Sequence, residues 1–153
     1  MAANSSPRAV GVGRVLVLVY GILALAATGR SVFQIIDRFS EAPLAFSLSA
    51  LSALVYIVAT VALIMPGPVW YRVAWITIGF ELLGVLVIGT VSVVSPAALG
   101  LTSVNPFGRD STVWSAYGLG YLLIPLVLPV LGLLYLRSRR PAPPDVVASD
   151  VPA

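Results

Sequence analysis

Glu81 is the residue through which this chain could do chemistry. The sequence has no Cys, no His and no Lys, and all nine basic residues are Arg. Their absence removes thiolate, disulfide and iron–sulfur chemistry, the commonest general base and zinc ligand, and Schiff-base formation. Acid–base work falls to six carboxylates, the Tyr hydroxyls and Ser or Thr. Metal sites made of carboxylates need several together, and here they are scattered, so no metal and no cofactor is expected. The spacing offers no Ser–base arrangement, no phosphate-binding glycine loop and no carboxylate pair on one helix face. The chain therefore reads as non-enzymatic.

Glu81 stands apart from the other carboxylates because it is central in an apolar run. Twelve residues from Val69 precede it and fourteen through Ser95 follow it. An ionised carboxylate at that depth of a bilayer costs about 3 kcal/mol on insertion scales. Such a side chain must face a helix-bundle interior, be protonated or find a partner. Tyr20 and Tyr56 also fall mid-run and are the candidate partners. One reading is a proton- or ligand-binding group, the default for an intramembrane ionisable residue. The other is a protonated Glu that hydrogen-bonds a Tyr, a Ser or a carbonyl across helices. Arg72 lies nine residues earlier, about 13 Å along a helix axis, too far to pair with Glu81 from the same helix.

The elements that must position these groups are membrane helices. Hydrophobic residues make up 59% of the 153, charged residues 10%, and the mean hydropathy is +1.01. A soluble domain carries about 25% charged residues, so a soluble single domain is excluded. The expected fold is all-α, a polytopic antiparallel bundle of four transmembrane helices over residues 10–136. The spans fall at about 10–29, 44–65, 69–95 and 113–136. The first continues as an amphipathic turn or two through Phe33, Ile36 and Phe39 and ends before Pro43. An alternative makes this segment a secretory signal peptide, with Ala24-Leu25-Ala26 as the cleavage site. Pro66-Gly67-Pro68 ends the second span so abruptly that the second and third must form a hairpin. Residues 1–9 and 141–153 read as disordered tails, the latter following a basic edge at 137–140. Asn4-Ser5-Ser6 matches a glycosylation sequon by chance.

Small residues repeat at helix-packing spacing: Ala45, Ser49 and Ala53 in the second span, Ala24 and Thr28 in the first, Ala116 and Gly120 in the fourth. Packing within one bundle explains them better than a dimer face. Pro125 and Pro129 should kink the fourth helix. Trp70, Arg72, Trp114, Arg137, Arg139 and Arg140 are expected as membrane-edge anchors. Between the third and fourth spans, Asn105-Pro106-Phe107-Gly108 reads as a turn, and Asp110, Ser111 and Thr112 are candidate N-caps. Arg38 and Glu41 form an ordinary i,i+3 pair.

Arginine asymmetry sets the orientation. Arg8, Arg14, Arg72, Arg137, Arg139 and Arg140 lie on the side of the tails, and Arg30, Arg38 and Arg109 on the other. By the positive-inside rule both termini are cytoplasmic. The implied setting is the cell (inner or plasma) membrane, multi-pass. The implied partners are the lipid bilayer and another membrane protein or a second copy of the chain. Dispersed arginines are not a nucleic-acid footprint. Function divides between a non-enzymatic accessory or structural envelope protein and a small proton-coupled transporter using Glu81.

Three segments, Arg14–Gly21, Tyr71–Ser92 and Thr112–Leu134, resemble a family of small four-helix integral membrane proteins of high-GC Gram-positive bacteria. The resemblance covers most of residues 8–140. It implies an inner-membrane location and no particular activity. Glu81-Leu82-Leu83-Gly84 is also similar to the ELxG element of DoxX-like four-helix proteins, although here it lies in the third span rather than the second.

Overall fold

The computed structural model describes residues 7–101, 105 and 107–139. Most of these residues are helical, with no strand among them. Three long helices come first: α1 (Pro7–Arg38), α2 (Pro43–Ile64) and α3 (Pro68–Val94). Prolines open α2 and α3, where a missing N–H costs nothing and φ is already helical. Between them Gly67 has φ 112° and ψ 162°, a backbone conformation that suits glycine. The α2–α3 hairpin is thus dictated locally by Pro66-Gly67-Pro68.

At 1.5 Å per residue, α1, α2 and α3 extend about 48, 33 and 40 Å, against a hydrocarbon core of about 30 Å. All three are long and apolar enough to cross a membrane. Both expected boundaries of α2 and of α3 hold within one residue. α1 continues past Gly29 to Arg38 as expected, and it starts at Pro7, so residues 7–9 belong to a helix rather than to a tail. Residues 1–6 and 140–153, with the sequon, Arg140 and the expected C-terminal tail, lie outside the described residues.

Each long helix buries a seam, and α2, packed between α1 and α3, also buries Phe46, Ala53, Val55 and Ala62 beside it. In α1 the seam runs Leu16, Tyr20, Leu23, Ala27, Ser31 and Gln34. In α2 it runs Ala45, Ser49, Ser52, Tyr56 and Ala59, and in α3 Ala74, Ile78, Glu81, Val85, Gly89 and Ser92. Steps of three and four residues make these the seams of left-handed helix packing. Small residues dominate the α2 seam, so backbones approach closely. The opposite faces expose large apolar side chains such as Leu18, Leu25, Ile76 and Leu83, as a lipid-facing surface does. α1 packs along α2, and α3 packs on α2 and on the C-terminal part of the chain.

The expected fourth span is corrected. Residues 113–136 do not form one helix. After a 3-10 turn at Pro96–Leu99, the chain forms a 3-10 segment at Ser115–Tyr121, then α4 at Ile124–Ser138, bent by 98° from it. α4 alone is about 22 Å long, too short to span a bilayer core of about 30 Å. Among the described residues, the helices long and apolar enough to cross a membrane therefore number three, or four if the bent pair is counted as one. The break is a backbone event. Ala116, Tyr117 and Gly118 are left-handed (φ 47°, 59° and 78°), as are Leu122 and Leu123 (φ 58° and 61°).

Candidate functional site

Glu81 lies in the α3 seam between Ile78 and Val85 and is fully buried. The seam alone turns it inward. From α1, the Tyr20 hydroxyl donates to Glu81 Oε2 at 2.7 Å. The two helices have little backbone contact, so it takes a side chain as long as Tyr to bridge them. Gly132 of α4 makes room beside this bond. A Cβ there would sit 3.2 Å from Ile78 Cδ1 and 3.5 Å from the Tyr20 hydroxyl oxygen. Among the described residues, Glu81 Oε1 has no hydrogen-bond partner.

Tyr56, the other expected partner, belongs to an adjacent pair. Its ring lies 6.3 Å from that of Tyr20 and tilts by 50°. Its hydroxyl accepts from Trp114 Nε1 at 3.1 Å. The two pairs bring α1, α2, α3 and the broken segment to one buried aromatic centre carrying a single carboxylate.

Trp114 corrects an expectation. It is 1% exposed and so is not a membrane-edge anchor. The irregular chain carries it inward against α3, where Gly84 receives it. A Cβ on Gly84 would lie 2.8 Å from the indole ring. Phe80 adds an edge-on contact at 6.4 Å. Trp70 and Arg72 remain in the opening turns of α3, and Arg137 is in the last turn of α4. These three share the end of the molecule that carries the α2–α3 hairpin.

The packing and kink residues divide. Ala45, Ser49 and Ala53 are buried, as is Ala24. Ala116 and Gly120 are corrected: they fall in the 3-10 segment, so their four-residue spacing does not align them on one α-helical face. Pro125 opens α4 rather than kinking it, and Pro129 lies inside a continuous helix. The bend precedes both, at Leu122 and Leu123, where the backbone turns left-handed.

Backbone that leaves the helix inside a membrane needs other hydrogen-bond partners. Buried hydroxyls supply them. Ser92 Oγ accepts from Ala116 N at 2.8 Å, Ser115 Oγ from Thr112 N at 2.9 Å, and Thr112 Oγ1 from Trp114 N at 3.1 Å. Thr112 thus caps a turn rather than an α-helix. A Cβ on Gly89 would meet the Tyr117 backbone nitrogen at 2.9 Å, so glycine lets the broken segment lie directly on α3.

At the loop end, α1 grips residues 108–111. Arg30 Nη2 donates to the carbonyls of Gly108 and Ser111 at 2.9 and 2.8 Å. Gln34 Nε2 donates to the Arg109 carbonyl at 2.9 Å. Arg38 pairs with Glu41 at 3.2 Å and approaches Asp110 at 4.0 Å. The expected turn is present in its described residues, with Gly108 N donating to Asn105 O and Phe107 N to Asn105 Oδ1. No cluster of three or more His, Cys, Asp or Glu occurs among the described residues. Compared with family models, curated proteins and solved structures, the chain finds no match.

Proposed function

We propose that the chain is a multi-pass protein of the plasma membrane with both termini cytoplasmic, acting as a non-enzymatic accessory or structural subunit of the envelope. The observation that carries this reading is the Tyr20–Glu81 bond. The one carboxylate at mid-depth joins two helices instead of lining an open recess, and a buried interhelical hydrogen bond is the usual way a membrane bundle retains such a group. The orientation rests on charge. The hairpin end has Arg14, Arg72, Arg137 and Arg139, whereas the loop end offsets Arg30, Arg38 and Arg109 with Asp37, Glu41 and Asp110. The resemblance to small four-helix membrane proteins of high-GC Gram-positive bacteria agrees with that setting.

Crosslinking in native membranes tests the accessory role. A reproducible adduct with a second membrane protein is expected. Consistent recovery of the chain alone would count against it.

One observation favours a second reading, proton-coupled transport through Glu81: its Oε1 lacks a partner among the described residues. Liposomes holding the purified chain would then move a substrate down a pH gradient, and Glu81→Gln would stop that movement. Equal transport by the Gln variant would remove Glu81 from any such mechanism.

A further inference from the structure

We infer that the hairpin end holds an anionic phospholipid, with its phosphate between Arg14 and Arg139 and an acyl chain in the groove between α1 and α2. Arg14 and Arg139 line one recess of about 390 Å3 together with Gly13, Val17, Leu63 and Tyr135. Among the described residues neither arginine forms an ion pair and no acidic residue lines the recess. Arg139 is half-buried and stacks over the Tyr135 ring at 5.4 Å, which fixes its guanidinium in place. Its Nη2 is buried from solvent yet has no hydrogen-bond partner among the described residues. A fixed guanidinium nitrogen without an acceptor is a ready donor to a phosphate oxygen.

The apolar half of the site adjoins this recess through Val17. From there a groove of about 700 Å3 runs between α1 and α2, lined by Gly21, Leu25, Ile57, Thr60 and Val61 among others. From Val17 to Thr28 it follows α1 for about 16 Å. Gly21 opens it, since a Cβ there would meet no atom nearer than the Thr60 methyl at 4.0 Å. A basic recess continuous with an apolar groove is complementary to a molecule with an anionic head and a hydrocarbon tail. Basic pockets between helices on the cytoplasmic side bind anionic lipid head groups in this way. The inference needs the hairpin end to lie at a membrane surface but is independent of whether the protein is an accessory subunit or a carrier.

The test uses the full chain purified in a neutral detergent. Phosphatidylglycerol, phosphatidylcholine and soluble glycerol phosphate are titrated separately, and bound lipid is read by native mass spectrometry. Phosphatidylglycerol should bind preferentially. The double variant Arg14→Gln, Arg139→Gln should weaken it roughly 30-fold, taking about fivefold for each arginine near an anionic lipid. Arg109→Gln at the loop end should leave binding unchanged. Gly21→Leu, which fills the groove, should weaken binding without changing the protein's charge. Equal binding of phosphatidylcholine, or undiminished binding by the double variant, would overturn the head-group site. Equal binding of glycerol phosphate would overturn the acyl groove. Unchanged melting of the lipid-free variants identifies these losses as losses of binding rather than of folding.

Discussion

The long helices α1–α3 and the broken segment at 115–138 solve the same problem in opposite ways. In α1–α3 the backbone satisfies itself, so side chains are free to be apolar all round, and each helix packs through a buried seam, made mostly of small residues in α2. In the broken segment five residues in two groups turn left-handed, and the bonds lost from the helix ladder are replaced by hydroxyls. Ser92, Thr112 and Ser115 are buried for that reason. The difference teaches that Ser92, Thr112 and Ser115 serve the backbone where it departs from a helix, whereas the polar groups buried in regular helix bond otherwise: Ser31 and Ser52 to carbonyls of their own helices, and Glu81 to Tyr20 across helices.

Substitutions at the contact between the two regions should have the largest effect. Trp114→Ala removes a buried indole and its bond to Tyr56, and should destabilise the chain by about 3–5 kcal/mol in a denaturant titration of the detergent-solubilised protein. If the broken segment instead lay loosely against α3, the loss would be well below this. A pair of glycines sharpens the point. Gly84→Ala would drive a methyl into the Trp114 ring and should cost about 1–3 kcal/mol, whereas Gly79→Ala meets nothing within 4 Å and should be neutral or stabilising. Equal effects would show that Trp114 does not rest on α3.

Ser92→Ala comes next. It leaves the Ala116 N–H without its acceptor and should cost about 1–2 kcal/mol, while the exposed Ser47→Ala should cost little. The smallest change is a gain. Leu122 is 84% exposed and left-handed, so Leu122→Gly should stabilise by about 1 kcal/mol by relieving its backbone. A loss of stability there would mean that the segment is helical, as its composition implies.

The legible parts of the sequence were those set by local chemistry. Pro43, Pro66 and Pro68 bound two helices within a residue because proline acts on its own turn. Tyr20 was identifiable as a partner of Glu81 because depth can be counted along a helix. Trp114 was not, because an aromatic at the edge of an apolar run has the composition of an interfacial belt. Its inward course depends on Gly84 and Tyr56, which are 30 and 58 residues distant in sequence. The break itself was hidden for the same reason. Hydropathy reports that residues 113–136 avoid water, and says nothing of whether a Ser on another helix supplies the hydrogen bond that lets the backbone turn.

The Tyr20–Glu81 bond is tested most directly by a double-mutant cycle with Tyr20→Phe and Glu81→Met, read as unfolding free energy in bicelles. Tyr20→Phe alone strands the Glu81 carboxyl, and adding Glu81→Met removes the stranded group, so the double variant should recover part of the loss. The expected coupling is about 0.6 kcal/mol and at most about 1.7 kcal/mol, the mean and the maximum found for hydrogen bonds between membrane helices. Additive losses, with no coupling between the two positions, would contradict the bond and leave Glu81 without a structural role.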